Sequence, residues 1–541
     1  MRSRSTKAIV GTLLLGTVAS CGGTTEAAGP SGAPVRGGTL RVAVADEPEC
    51  LDPQQSPTAA SRFLARPLVD SLVNQGGGGR IAPWLATEWR VSTDRLAYTF
   101  TLRKNVKFAD GAVFDAAAVK ANLDRVVNPA TKSLLAASLI SAYDKSTVVD
   151  EHTVEIRLKH PDSTFLSALA TPNLGIQSPA TLTGDPAARC ATVIGTGPFR
   201  SAEGFASQKG ISYTRNPDYA WPPEGAENDG AAWLDAIEIQ IAPDAGARYG
   251  ALTSGQVDAI ANVSPTNARE LGSTNGFVLH STPYPGIPFS YWPNTASGPF
   301  ADRKVRTAFR LGIDWPRITE NVYFGVYGPA KGVLTPTTPG YDASLESQYR
   351  FDVAEANRLL DGAGYATKDS QGYRTKDGKR LTVRHMWSDA GVTDLATQVQ
   401  AGAKEIGIET VEENLDGGTF VDRLLKGDYD LIDTNFAAPG PQVLQVLLGA
   451  ENIPTPERGI ANNMARYTAP AVQADFARAL EAADQESQFK AYADAQRKIT
   501  DDAAVFPIYD DRTTFGATSR VNSVAFLADG APDFHQIWLS Q

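Results

Sequence analysis

Three cysteines, five histidines and a scatter of carboxylates are the residues with which this 541-residue chain could do chemistry. The histidines (His152, His160, His280, His385 and His535) stand singly, with no cysteine or second histidine at the spacing zinc requires. There is no G-x-S-x-G elbow and no H-E-x-x-H. The glycines at 76–79 lack the following Lys-Ser/Thr pair of a phosphate loop and read as a mobile turn. Asp369 and Asp377 lack the alternating carboxylates of a calcium loop. The pair Asp501 and Asp502, like Asp510 and Asp511, reads as solvated or capping. A fold can assemble carboxylates that spacing does not reveal, so an exported hydrolase stays open as the least favoured reading. The chain is read as a non-enzyme, with no catalytic residue, no metal and no cofactor assigned.

The elements that would position any site follow from hydrophobic period. "TLRVAVA" puts Leu40, Val42 and Val44 on one face, and "LAYTFTLR", "TVEIRLK" and "LDAIEIQIA" repeat the alternation of a strand. Helices stand between them. Asp115 is placed to cap a helix whose stripe is Val119, Leu123, Val126 and Val127, stopped by Asn128 and Pro129. Asp302 does the same for Val305, Ala308, Phe309, Gly312 and Ile313. "DSQGYRTKDGKRLTV" predicts a hairpin turning at Asp377 and Gly378. The mixture is α/β from end to end.

The N-terminus carries its own message. Arg2, Arg4 and Lys7 precede a run of 13 small and apolar residues at 8–20, the pattern of a secretory signal and too short to span a bilayer. Val18, Ala19, Ser20 and Cys21 resemble the lipobox of bacterial lipoproteins, which makes 1–20 a signal peptide and Cys21 a lipidation site. Residues 21–36, rich in Gly and Pro, are then a flexible tether. The three basic residues contribute +3 to a net charge of −11, so the remainder is strongly acidic, with no basic run to suit nucleic acid. In the oxidising compartment an exported chain reaches, Cys50 and Cys190 are the expected disulfide, with two independent buried thiols as the alternative.

Eight stretches, in order, resemble the extracellular solute-binding proteins of family 5, the dipeptide-, oligopeptide- and nickel-type binding proteins of ABC importers. They are "GGTLRVAVADEPECLDPQ" (37–54), the segment from "IAPWLATEW" to "NLDRV" (81–126), "GTGPF" (195–199), "NPDYAW" (216–221), "LTSGQVDAI" (252–260), "FADRKVRTAFRLGIDWPRI" (300–318), "AEANRLLDGAGY" (354–365) and "AQRKITDDAAVFPIYDD" (495–511). The resemblance implies a two-lobe periplasmic-binding-protein-like fold with a hinge crossed twice, near 288–294 and 508–511. Lobe one would comprise 37–290 and a return at 510–541, with an extra subdomain at about 83–193; lobe two would be 291–509. It implies a lipid-anchored component of an ABC importer that captures a peptide or small-molecule ligand between its lobes. The chain would be exported, held by its lipid at the outer face of the cytoplasmic membrane, monomeric, and partnered with permease subunits. A sensor or partner-binding lipoprotein on the same fold is the alternative.

Cleft loops in that arrangement nominate Gln55, Ser56, Tyr291, Trp292, Asn294, Trp387, Ser388, Asn435, Phe436 and Tyr509 as ligand-facing. One departure stands out. Family members that bind peptides carry a Trp and then an Asp, which pairs with the peptide's α-amino group, after "GDYD". Here Phe436 and Ala438 occupy those places. An ammonium closed into a cleft without a carboxylate would be left unpaired, so the ligand is expected to lack an obligatory free α-amino group, unless Asp433 serves instead.

Overall fold

The computed structural model describes residues 32–133, 135–183, 186–388 and 393–541; the expected signal peptide, most of the tether and Cys21 lie outside the described residues. Pro34–Gln541 forms one body, built on three principal sheets. In the first, Thr39–Val44 runs parallel to both Ala236–Ile241 and Ala259–Ala261, with Arg512–Thr518 and Phe277–Pro283 completing one side and Gly210–Arg215, Phe199–Arg200 and Phe205–Ala206 the other. Leu40, Val42 and Val44 do share one buried face, but Ala43 is buried too. It packs with Leu252, Val257 and Leu271 beneath the helices Ala245–Thr253 and Pro265–Leu271, because a central parallel strand is covered on both faces.

A four-stranded antiparallel sheet, Ala86–Val91, Ala97–Leu102, Thr153–Leu158 and Tyr143–Asp150, is covered by the helix Ala116–Val127. Asp115 caps that helix by accepting from the Ala118 N–H at 2.8 Å. Val119, Leu123 and Val126 are buried, whereas Val127 is exposed. Successive helical residues point about 100° apart, so both valines cannot face the sheet. The inward places are filled instead by Asn122 and Arg125, members of a buried polar cluster. Gln54 donates to Asn122 at 2.8 Å, Arg125 to Gln54 at 2.6 Å, and Gln177 to Asp52 at 2.7 Å. This cluster pins the 50–56 loop, and a disulfide between Cys50 and Cys190, 140 residues apart, holds its start.

The third sheet orders Gly328–Pro329, Phe506–Asp510, Gly286–Pro293, Leu431–Ala437, Thr382–Trp387 and Glu409–Asn414. Every residue of Gly286–Pro293 is buried, since helices cover both faces. On one side, Asp302 caps Arg303–Gly312, whose Val305, Ala308, Phe309 and Gly312 face inward. On the other lie Val443–Leu448, Pro470–Leu480 and Gln485–Asp501. The hairpin at 374–380 turns at Asp377 and Gly378, both with positive φ, which is the twist a two-residue hairpin needs.

The first and third sheets define two lobes. The chain leaves the first at Pro283 and enters the third at Gly286, then returns between Asp510 and Arg512. The first crossing therefore falls at 284–285 rather than 288–294. Gly286 suits that place: its φ is +121°, and a Cβ there would lie 2.2 Å from the Phe436 carbonyl oxygen.

Candidate functional site

Two adjoining cavities open between the lobes. The larger, about 510 Å³, is floored by lobe-one segments: the strand ends at 44–46 and 261–264, the start of the helix Ala59–Ala65, the start of the strand Arg512–Thr518, and the loop 529–532. Tyr284, Tyr327, Asn435, Phe436 and Ala437 face it from the hinge and lobe two. Its polar character comes from Asp46, Asp511, Asp529, Arg62 and Arg512. The smaller, about 420 Å³, lies between the four-stranded sheet's helices and lobe two. Leu135, Leu139, Ala168, Val443, Val446 and Leu480 make it apolar, with His160 and Asp162 at its edge. Arg62, Phe436, Ala437 and Asp529 line both, so the two are chambers of one cleft. Concavities of this size between domains are where small ligands are usually held.

The rim is bridged directly. The Ser163 N–H donates to the Leu480 carbonyl at 3.0 Å, its hydroxyl donates to the Ala479 carbonyl at 2.8 Å, and Gln488 donates to that hydroxyl at 2.6 Å. Gln75 donates to the Pro439 carbonyl at 2.6 Å. The glycines at 76–79 are part of this rim: they form a short 3-10 turn, with Gly79 against Pro339 and Gln485.

Asn435 and Phe436 line the cleft. Gln55 does not; its amide donates to Asp52 at 2.8 Å. Ser56 is buried beside the Thr58 hydroxyl at 3.0 Å. Because the chain enters the third sheet at Gly286, Tyr291 and Trp292 lie inside it, fully buried, and Asn294 holds the Gly427 and Tyr429 carbonyls at 3.1 Å each. Trp387 is core, and Ser388 is exposed at the strand's end. Tyr509 is buried, stacked between Phe289 and Tyr327 with ring centroids 4.8 and 5.1 Å away, and reaches the cleft only through Tyr327.

Ala438 lines the apolar chamber, with no acid at that place. Asp433 lines neither chamber. Its carboxylate lies 3.7 Å from Nε2 of the buried His385, whose Nδ1 meets Glu412 at 2.7 Å. Burial opposes charge on that ring, but Asp433 and Glu412 outweigh it and push the imidazole up to about 9.

The reading of Asp510 and Asp511 as solvated or capping does not hold. Asp511 lines the polar chamber, accepting from Asn435 Nδ2 and from the Arg512 N–H at 2.7 Å each. Burial pushes its carboxyl above the ordinary range, against the pull of those two donors. Asp510, behind it, is pushed up to about 7 by burial and by the Glu346 charge. The only sequence signal for Asp511 is its position two residues after Tyr509, at the return crossing. Tyr284 and Tyr327 carry no motif at all.

Among the described residues no helix is long and apolar enough to cross a membrane. Residues 80–450 match the family described as "Bacterial extracellular solute-binding proteins, family 5 Middle". A glutathione-binding protein, GsiB, of Salmonella paratyphi A is 30% identical over 501 residues, covering 90% of this chain and 92% of the relative. A probable di/tripeptide-binding protein of Pseudomonas aeruginosa is 27% identical over 543 residues, 93% of this chain and 96% of its own. Among solved structures, NikA from Brucella suis in complex with Fe(III)-EDTA superposes with a TM-score of 0.82 at 25% identity, over 93% of this chain and 100% of that one. A peptide-bound DppA from Helicobacter pylori gives 0.76 at 23% over 94% and 99%. With a model match spanning most of the body and a ligand-sized cleft between two lobes, this chain belongs to family 5 of the bacterial extracellular solute-binding proteins.

Proposed function

We propose that the chain is the substrate-binding component of an ABC importer, capturing a peptide-like solute between its lobes and presenting it to the permease. The observation that carries this is the two-chambered interlobe cleft with hydrogen bonds bridging its rim. A cleft that closes by hinge motion can enclose a solute and offer the permease a shape that only the loaded form adopts. Relatives named for glutathione and for di- and tripeptides support a peptide-like cargo. The lobes are 37–283 with 512–541, carrying the subdomain at about 83–193, and 286–510. Cys21 carries lipid and holds a monomer at the outer face of the cytoplasmic membrane, where a tethered receptor stays near its permease.

The test is a thermal-shift screen of the purified protein against short peptides, N-acetylated peptides, glutathione, sugars and metal chelates. A true ligand at ~100-fold above its Kd adds about 2.7 kcal/mol of stability. A rise in melting temperature with a peptide-class solute supports the reading. A response confined to sugars or chelates overturns the cargo, and none at all overturns the function.

A further inference from the structure

The polar chamber holds carboxylates that no cation pairs. Asp46, Asp511 and Asp529 form no ion pair among the described residues. The two arginines beside them are turned to other work. Arg62 donates to the Pro57 carbonyl at 2.8 Å, and the Arg512 side chain donates to the Ser281 hydroxyl at 2.7 Å. Asp511 is the most enclosed of the three acids. Each of its oxygens takes one hydrogen bond, from Asn435 or from the Arg512 N–H, and a carboxylate oxygen can accept a second. Tyr284 and Tyr327 line the same chamber, and the face of an aromatic ring attracts a cation. Beyond Phe436 and Ala437, the neighbouring chamber is apolar.

We infer that Asp511, oriented by Asn435 and walled by Tyr284 and Tyr327, seats a cationic nitrogen of the ligand, while an apolar part of the same molecule fills the second chamber. This rests on the cleft being the ligand site, as proposed above. It replaces the sequence expectation that an acid is missing: the residue at 438 is apolar because it faces the apolar chamber, and the carboxylate is supplied from the return crossing of the hinge. A buried carboxylate with hydrogen-bond donors but no paired cation remains unfavourable, and a ligand ammonium relieves it on closure, so charge selects the cargo. The ligand class is an amphiphilic cation, such as a peptide with a free amino terminus next to apolar side chains.

Two probe pairs, each differing only in charge, test this on the full chain by calorimetric titration. They are Gly-Leu-Phe against N-acetyl-Gly-Leu-Phe, and 4-phenylbutylamine against 4-phenylbutanol. The charged member should bind at least ~10-fold more tightly, the scale of one charge-assisted hydrogen bond, and Asp511→Asn should erase that difference. Asn keeps the acceptor that Arg512 N–H needs; should the variant not fold, Tyr327→Leu should narrow the gap instead. If 4-phenylbutylamine binds selectively and neither peptide does, the seat stands and the peptide cargo falls. Equal affinity within each pair, or no binding by any probe at millimolar concentration, overturns the seat. A preference that survives in Asp511→Asn also overturns it.

Discussion

Ser163→Ala should loosen the closed arrangement without unfolding either lobe. Ser163 lies in the four-stranded sheet's return loop, yet its partners belong to lobe two, at the C-terminal end of Pro470–Leu480. Carbonyls in the last turn of a helix lack the regular i+4 donor, and here the Ser163 N–H reaches Leu480 and its hydroxyl reaches Ala479, which also takes the Ala482 N–H at 3.3 Å, with Arg95 donating to the next, at Glu481. The alanine variant removes the hydroxyl's bonds to Ala479 and Gln488 and keeps the backbone bond to Leu480. Two hydrogen bonds at a net ~0.5–1.5 kcal/mol each give about 1–3 kcal/mol. Water reaches these groups when the rim opens, so the lower part of that range, about 1–2 kcal/mol, is expected. That corresponds to a ~5–30-fold shift toward the open form. Donor and acceptor dyes on Val149→Cys and Ile460→Cys, both exposed and on opposite lobes, would report it in a Cys21→Ser background. The closed population should fall in Ser163→Ala, and by less in Gln488→Ala. An unchanged distance distribution in a folded Ser163→Ala would refute the idea that these bonds hold the rim.

Three further outcomes are expected. Cys21→Ser should move the protein from the membrane fraction to the soluble one with its melting temperature unchanged, as fractionation and calorimetry can check. Replacing both Cys50 and Cys190 by serine should cost about 2–5 kcal/mol of unfolding free energy in a denaturant titration, because the cross-link closes a long loop in the unfolded chain. The His385 imidazole, held up at about 9 against an ordinary 6.5, contributes stability that is complete below pH ~6.5 and is lost as pH rises through ~9. The loss, on the order of 3 kcal/mol, should show as a falling melting temperature across that window and be absent in His385→Gln.

Periodicity was enough to find the strands at 39–44, 97–102, 153–158 and 236–241, and side-chain capping rules found both Asp115 and Asp302, because these are local features. Burial on two faces was not legible: Ala43 and the whole of Gly286–Pro293 are enclosed by helices that come from elsewhere in the chain. The same reason limits the site. Asn435 and Phe436 could be reached from a strand end, but Tyr291, Trp292 and Asn294 look equally well placed until the crossing is known to fall at 284–285. Asp511 reads as one of two solvated aspartates, and only the meeting of the returning strand with Asn435 encloses it. Arg62 and Asp529 line the same two chambers from opposite ends of the chain, which no spacing predicts.

A small solute held between the lobes must occupy the junction of the two chambers. Ala437 lines both chambers, so Ala437→Trp should fill their junction while leaving the strand's backbone pairing with Gly286 in place. The decisive measurement is the thermal shift of wild type and Ala437→Trp, side by side, against the same peptide, acetyl-peptide, glutathione, sugar and chelate panel. The solute that stabilises wild type should lose that effect in the variant, whose own unliganded melting temperature should stay close to wild type. Equal stabilisation of both proteins would put the ligand outside this cleft.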